Sequence, residues 1–161
     1  MEIKSLLEAI QATPWAVKIA ESGFLFPTIE TVHVLALALV IGSISMVDLR
    51  LLGRSSRRGV KELSEEVLPW TWAAFVIAVI SGALMFISAA VKYAYMPQFQ
   101  VKLLLIMLAG INMLVFHFLT YRSVASWNHD SITPPRARLA GMLSLVFWIG
   151  VVTLGRWIGF V

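Results

Sequence analysis

Two of the three histidines lie inside long apolar stretches, where an imidazole needs a partner or a chemical task. His33 stands in VHVLALALVIG and His117 in MLVFHFLTY, whereas His129 follows in a polar loop and is expected to be solvated. Neutral imidazole is a common axial ligand of haem b and can also bind copper or zinc. The residues leave three interpretations open: haem held by at least one histidine, another metal ion, or two structural histidines in polar networks.

A group of polar residues lies at a depth similar to that of His33. Glu30 precedes His33 by three residues, so the two side chains share one helix face. Lys102 lies near the start of a later apolar stretch, and Arg156 lies near the end of the last one. Because an uncompensated charge is costly in a membrane, we expect Glu30 to pair with Lys102 or Arg156. If the ligand is haem b, Lys102 and Arg156 would lie near its propionates.

A second polar layer is predicted towards the other side of the membrane. Asp48 and Arg50 end the first apolar stretch, Arg122 follows His117, and Asn112 lies between the two layers. We expect Asp48 to meet Arg50, Arg122 or the end of another helix. If Arg50 extends to the lipid headgroups, its replacement should be tolerated far better than that of Asp48.

The depths of His33 and His117 argue against a single iron between them. The first and third spans run in the same direction, and His117 lies deeper in its span than His33 does. At ~1.5 Å per residue, an offset of roughly eight to ten residues amounts to about 12–15 Å. One haem held by both histidines would therefore need a strong helix tilt or a shift in register.

The composition is that of a polytopic membrane protein. Of the 161 residues, 59% are hydrophobic and 14% are charged, whereas soluble domains carry about 25% charged residues. The chain has no cysteine, which excludes disulfides, Fe–S clusters, thiolate-ligated haem and cysteine zinc sites. The net charge of +4 lies mostly in loops, so we expect no nucleic-acid partner.

The hydropathy pattern predicts an all-α protein whose four transmembrane helices form an up-down bundle. The spans are expected at about residues 26–50, 69–94, 99–122 and 137–160, within a domain of residues 23–161. Pro69 suits the first turn of the second span. Residues 1–22 are too polar to span and predict an amphipathic helix on the bilayer surface. One face of the first span should point into the bundle, at Glu30, His33, Leu37, Ile41, Ile44 and Asp48.

Positive charges predict the orientation of the bundle. The loop after the first span and the loop after the third are rich in arginine and lysine, at Arg50, Arg54, Arg57, Arg58, Lys61, Arg122, Arg136 and Arg138. The positive-inside rule places these loops, residues 53–68 and 123–135, in the cytoplasm. Both termini are therefore expected on the periplasmic side.

Five short motifs, in order along residues 21–160, resemble a bacterial family of four-span inner-membrane proteins with no assigned activity. They are ETVH at 30–33, DLRLLG at 48–53, LPWTW at 68–72, LAGIN at 108–112 between Lys102 and His117, and GRWIG at 155–159. The resemblance implies a location in the bacterial inner, or plasma, membrane.

The layout also resembles, more distantly, the HemJ-type protoporphyrinogen oxidases and the CopD-type copper-resistance membrane domain. The shared elements are a histidine in the first span, an arginine at its inner end, and a lysine that opens a later span with a histidine further along. This resemblance implies functional roles for His33 and Lys102.

Two functions of different classes follow from these observations. The first is a haem-b-binding protein that takes part in electron transfer, with quinol or a periplasmic redox protein as its partner. The second is a non-catalytic membrane subunit or assembly factor whose charge clusters fix helix packing. A third, porphyrinogen oxidation, needs an electron acceptor that the sequence does not show. A homo-oligomer is compatible with all three.

Overall fold

The described residues, 2–54, 58–129 and 133–160 of a computed structural model, form helices and no strands. This confirms the predicted all-α fold. The α-helices are α1 (Glu2–Gln11), α2 (Pro14–Glu21), α3 (Leu25–Leu51), α4 (Val60–Ser88), α5 (Ala90–Ala94), α6 (Pro97–Val115) and α7 (Pro135–Ile158). A π-helical turn (Phe116–Thr120) and a 3₁₀ segment (Tyr121–Ser126) extend α6. Arg57 and Asp130 lie outside the described residues.

Four of these helices are long and apolar enough to cross a membrane: α3, α4, α6 with its extension to Ser126, and α7. At ~1.5 Å per residue, the 27 residues of α3 exceed the ~30 Å hydrocarbon core of a bilayer. Large apolar side chains cover much of the outer surface, as lipid contact requires. The chain is therefore a multi-pass membrane protein.

The four long helices pack as two pairs. α3 lies against α4, α6 lies against α7, and the contact between α3 and α7 joins the pairs. Small and medium side chains from all four helices build the central core, at Val40, Ala74, Ala109, Trp148 and Val151. We call the end of the bundle that holds both chain termini the termini end, and the opposite one the Arg50 end.

The second long helix begins at Val60 and not at Pro69, which lies inside α4. Proline lacks the N–H that would bond to the carbonyl of Glu65, four residues earlier. Since Glu65 is exposed near the end of the helix, water or headgroups can satisfy that carbonyl. The helix can therefore continue through a residue that usually marks a helix start.

The N-terminal segment forms two short helices in place of the single one that the sequence predicts. Pro14 interrupts the hydrogen bonding after α1 and begins α2, and the hydroxyl of Thr13 donates to the carbonyl of Ile10 at 2.8 Å. α1 packs against α5 and α2 against α4, while the side chains of Ile3 and Trp15 are 72% and 71% exposed. These exposed apolar groups are suited to a membrane surface.

Candidate functional site

The imidazole of His33 is held between α3 and α4 by two hydrogen-bonding groups. Its Nδ1 lies 2.9 Å from the main-chain oxygen of Ala78 and 3.0 Å from Oγ of Ser81. A carbonyl oxygen only accepts, so Nδ1 carries the proton, and the Ser81 hydroxyl donates to the carbonyl of Ile77 at 2.6 Å. In the neutral ring, Nε2 therefore keeps a lone pair that neither bond uses.

Gly82 makes room for the His33 ring. A Cβ added at Gly82 would lie 3.0 Å from Cε1 of His33, which is tighter than an ordinary van der Waals contact. The missing side chain of Gly82 leaves space on α4 for an imidazole from α3. The Ala78 carbonyl thus binds one edge of the ring, and the ring packs directly against Gly82.

Lys102 reaches the same end of the bundle from α6. A Cβ added at Gly155 of α7 would lie 3.2 Å from Nζ of Lys102, so the ammonium group rests against α7. The charges of Lys102 and Glu30 both act on the His33 ring. Glu30 itself is exposed and, within the described ranges, forms no ion pair with Lys102 or Arg156 inside 4.0 Å.

Tyr93, in α5, lies close to Glu30 at the same end of the bundle and was not among the predicted site residues. Burial, together with the negative charge of Glu30, raises the pKa of the Tyr93 phenol. Its ring lies 5.9 Å from that of Phe99, which stacks on Phe86 at 5.5 Å. Aromatic side chains therefore close the space between α4 and α6 at the termini end.

The structure does not bring Arg156 to this cluster. The side chain is exposed on the outer face of α7, and its guanidinium carbon lies 4.6 Å from the ring centroid of Phe160. With neighbours such as Val152 and Trp157, it lines a surface groove of about 630 Å³. The rotation of α7 that buries Trp148 and Val151 turns Arg156 outwards.

His117 is also separate from His33. It lies in the π-helical turn, is exposed, and stacks on Tyr121 with ring centroids 5.6 Å apart. In the described structure α3 does not contact this turn, so the histidines do not form a pair around one iron. Within the same residues, no group of three or more metal-ligating side chains is found.

The Arg50 end contains a fully buried arginine. Arg50 is 0% exposed, its Nε donates to the carbonyl of Arg58 at 2.7 Å, and its Nη2 donates to the carbonyl of Asn128 at 3.0 Å. Arg50 is therefore enclosed in the fold and does not extend to the headgroups, so the condition for a tolerated replacement is not met. The physical reason is that Arg58, just before α4, and Asn128, between α6 and α7, offer main-chain oxygens to the guanidinium group.

Asn128 joins its own loop to the first turn of α4 and was missed by the sequence argument. Its amide nitrogen donates to both carboxylate oxygens of Glu62, at 3.0 and 2.9 Å, and its side-chain oxygen accepts from the N–H of Lys61 at 2.8 Å. His129, exposed as expected, lies 3.5 Å from Glu62. A polar residue in a loop gives no sequence signal of burial, because only the folded loop encloses it.

The remaining predicted polar residues bond to other helices. Asn112 of α6 donates to the carbonyl of Ala140 of α7 at 2.9 Å. Asp48 lies close to the hydroxyl of Ser144 of α7, and the described residues place neither Arg50 nor Arg122 in an ion pair with it. Both residues therefore connect helices, as side chains inside a membrane bundle commonly do.

Comparison with known families matches residues 17–161 to a family of unknown function, DUF6644. The chain belongs to this family. The matched region contains α3, α4, α6 and α7 entirely, so the bundle is the family's domain. No curated protein and no solved structure matches the chain. For this member of DUF6644, function must therefore be argued from the site itself.

Proposed function

We propose that this protein binds haem b through His33 and takes part in electron transfer in the bacterial inner membrane. The observation that carries the proposal is the hydrogen bond from Nδ1 of His33 to the Ala78 carbonyl. Metal-ligating histidines usually donate their second ring N–H to a carbonyl or carboxylate, which orients the ring and raises the basicity of the other nitrogen. Nε2 of His33 is then the ligating atom.

The residues around His33 fit such a group in part. His33 would ligate the iron, and Lys102, at the same end of the bundle, would offer a cation to a propionate. His117 does not supply the second ligand, since it faces outwards, and Arg156 does not join Lys102. The proposal is therefore a haem with a single histidine ligand. Haem bound there would supply one-electron chemistry, with quinol and a periplasmic protein as the proposed partners.

The test compares two histidine variants in the purified full-length protein. His33→Gln should abolish the reduced-minus-oxidised α-band of a b-type haem, because an amide ligates iron poorly. His117→Gln, the matched control, should keep the band. Absence of the band in wild-type protein supplied with haem would refute the proposal.

A further variant separates ligation from folding. His33→Ala leaves space that free imidazole can enter, so added imidazole should restore the band if His33 is the ligand. If neither His33→Gln nor His33→Ala affects the band, the haem is bound at another site.

The second candidate function is a non-catalytic membrane subunit or assembly factor. It is favoured by the fact that Asn112 and the Arg50–Asn128 cluster each hold separate chain segments together. Under this interpretation, the His33 bond to Ala78 is one more such connection. His33→Gln would then lower the melting temperature in detergent, and wild-type protein would show no haem spectrum.

A further inference from the structure

Asp48 is a carboxyl group enclosed between α3 and α7 at the Arg50 end. The residue is only 5% exposed. The two backbones approach closely beside it, since a Cβ added at Gly141 would lie 3.0 Å from the main-chain oxygen of Asp48. The carboxyl is therefore held in a tight helix–helix contact and not at an open surface.

The partners of this carboxyl account for only part of its hydrogen-bonding capacity. Ser144 offers a hydroxyl, whereas the buried Oδ2 has no hydrogen-bond partner among the residues that the structure describes. The next charged residue on α3, Arg50, donates to the carbonyls of Arg58 and Asn128. The charged groups nearest this end on the helices packed against α3 are all exposed: Lys61, Glu62, Glu65 and Glu66 on α4, and Arg136 and Arg138 on α7.

This environment suits a neutral carboxylic acid better than a carboxylate. An ionised carboxyl in a dry interior needs a counter-charge or several donors, and a single hydroxyl does not provide them. A protonated carboxyl carries no charge, and its carbonyl oxygen can accept from Ser144. Ionisable groups inside membrane bundles commonly serve as proton carriers.

We propose that Asp48 is an intramembrane proton-binding site, which carries its proton at neutral pH and exchanges it with water. The site lies at the opposite end of α3 from His33. Proton binding at Asp48 does not depend on the proposed haem and would occur equally in a protein without a cofactor.

Dicyclohexylcarbodiimide reports on such a group because it is apolar and reacts with protonated carboxyls. The acid transfers its proton to one carbodiimide nitrogen, and a carboxyl oxygen bonds to the central carbon. The O-acylisourea that forms rearranges to a stable N-acylurea, so the whole reagent is added and nothing leaves. The adduct can be located by peptide mass spectrometry.

The experiment uses the full-length protein in detergent over a range of pH. We expect an adduct on Asp48 whose rate of formation falls as the pH rises. Asp48→Asn should remove it, and Glu65→Gln, which changes an exposed carboxylate, should not. Labelling that is independent of pH would contradict the proposal, and protection by Na⁺ at constant ionic strength would show a cation site instead.

A second measurement does not depend on access of the reagent. The infrared difference spectrum between wild type and Asp48→Asn at neutral pH should contain the C=O stretching band of a carboxylic acid, and the band should shift in D₂O. A carboxylate signal in its place would overturn the proposal whatever the labelling shows. A band that does not shift would disprove exchange with water.

Discussion

At the scale of single residues, Arg50 shows how main-chain oxygens help to hold a buried guanidinium group. Two main-chain carbonyls accept its N–H groups, and the Asn128 that provides one of them is itself held by Glu62 and the N–H of Lys61. Hydrogen bonds from a charged donor are stronger than neutral ones, and the guanidinium group offers five donors in a planar fork. Arg50 thus links α3 to two loops.

Replacing Arg50 by Ala should destabilise the protein strongly. The change leaves the carbonyls of Arg58 and Asn128 without their donor and creates a cavity, so we expect a loss of about 3 kcal/mol or more. Thermal unfolding in detergent measures it, with Arg54→Ala as the control, because Arg54 is exposed at the same end. Equal melting temperatures for the two variants would contradict the role given to Arg50.

At the scale of elements, glycine controls how closely the helices approach and where they end. Gly53 has a φ of 79° and ends α3, where its N–H bonds to the carbonyl of Arg50 and that of Arg54 bonds to Leu49, both at 3.0 Å. This left-handed arrangement is favourable for glycine. Gly141 acts differently, because its missing side chain lets α7 meet the backbone of α3.

Gly141→Ala should destabilise the contact between α3 and α7. The new methyl group would lie 3.0 Å from the Asp48 carbonyl oxygen and 3.1 Å from Cβ of Leu51, and a helix backbone cannot easily move away. Overpacking of this kind costs about 1–3 kcal/mol. Gly110→Ala is the control: its Cβ would meet no atom within 4 Å, and alanine is favoured over glycine in a helix by roughly 0.5–1 kcal/mol. Unfolding in detergent should therefore separate the variants, and a Gly141→Ala protein as stable as wild type would contradict the close contact.

At the scale of the whole molecule, positive charge is distributed unequally between the two ends. The Arg50 end carries Arg50, Arg54, Arg58, Lys61, Arg122, Arg136 and Arg138 among the described residues, and the termini end carries Lys4, Lys18, Lys92, Lys102 and Arg156. We therefore propose that the Arg50 end faces the cytoplasm and that both termini are periplasmic.

Single introduced cysteines can test this orientation, because the chain has none of its own. Ser126→Cys at the Arg50 end should resist a membrane-impermeant thiol reagent in intact cells and react after the cells are opened. Glu21→Cys, exposed at the termini end, should react in intact cells. The reverse pattern would invert the proposed topology.

The sequence by itself determined the all-α class, the four long apolar helices and the inward face of the first span. Apart from Glu30, which is exposed, the predicted stripe at His33, Leu37, Ile41, Ile44 and Asp48 is partly or fully buried. These features depend on local hydropathy and on the 3.6-residue period, so a single segment contains the information.

Only the tertiary structure decided which polar groups meet. The outward positions of His117 and Arg156 depend on the rotation of α6 and α7, and that rotation follows from the packing of all four helices. The continuation of α4 through Pro69 depends on an exposed helix end. The burial of Arg50 depends on Asn128, in a loop remote along the chain. Such contacts are set by the relative placement of distant segments, which no local pattern of residues encodes.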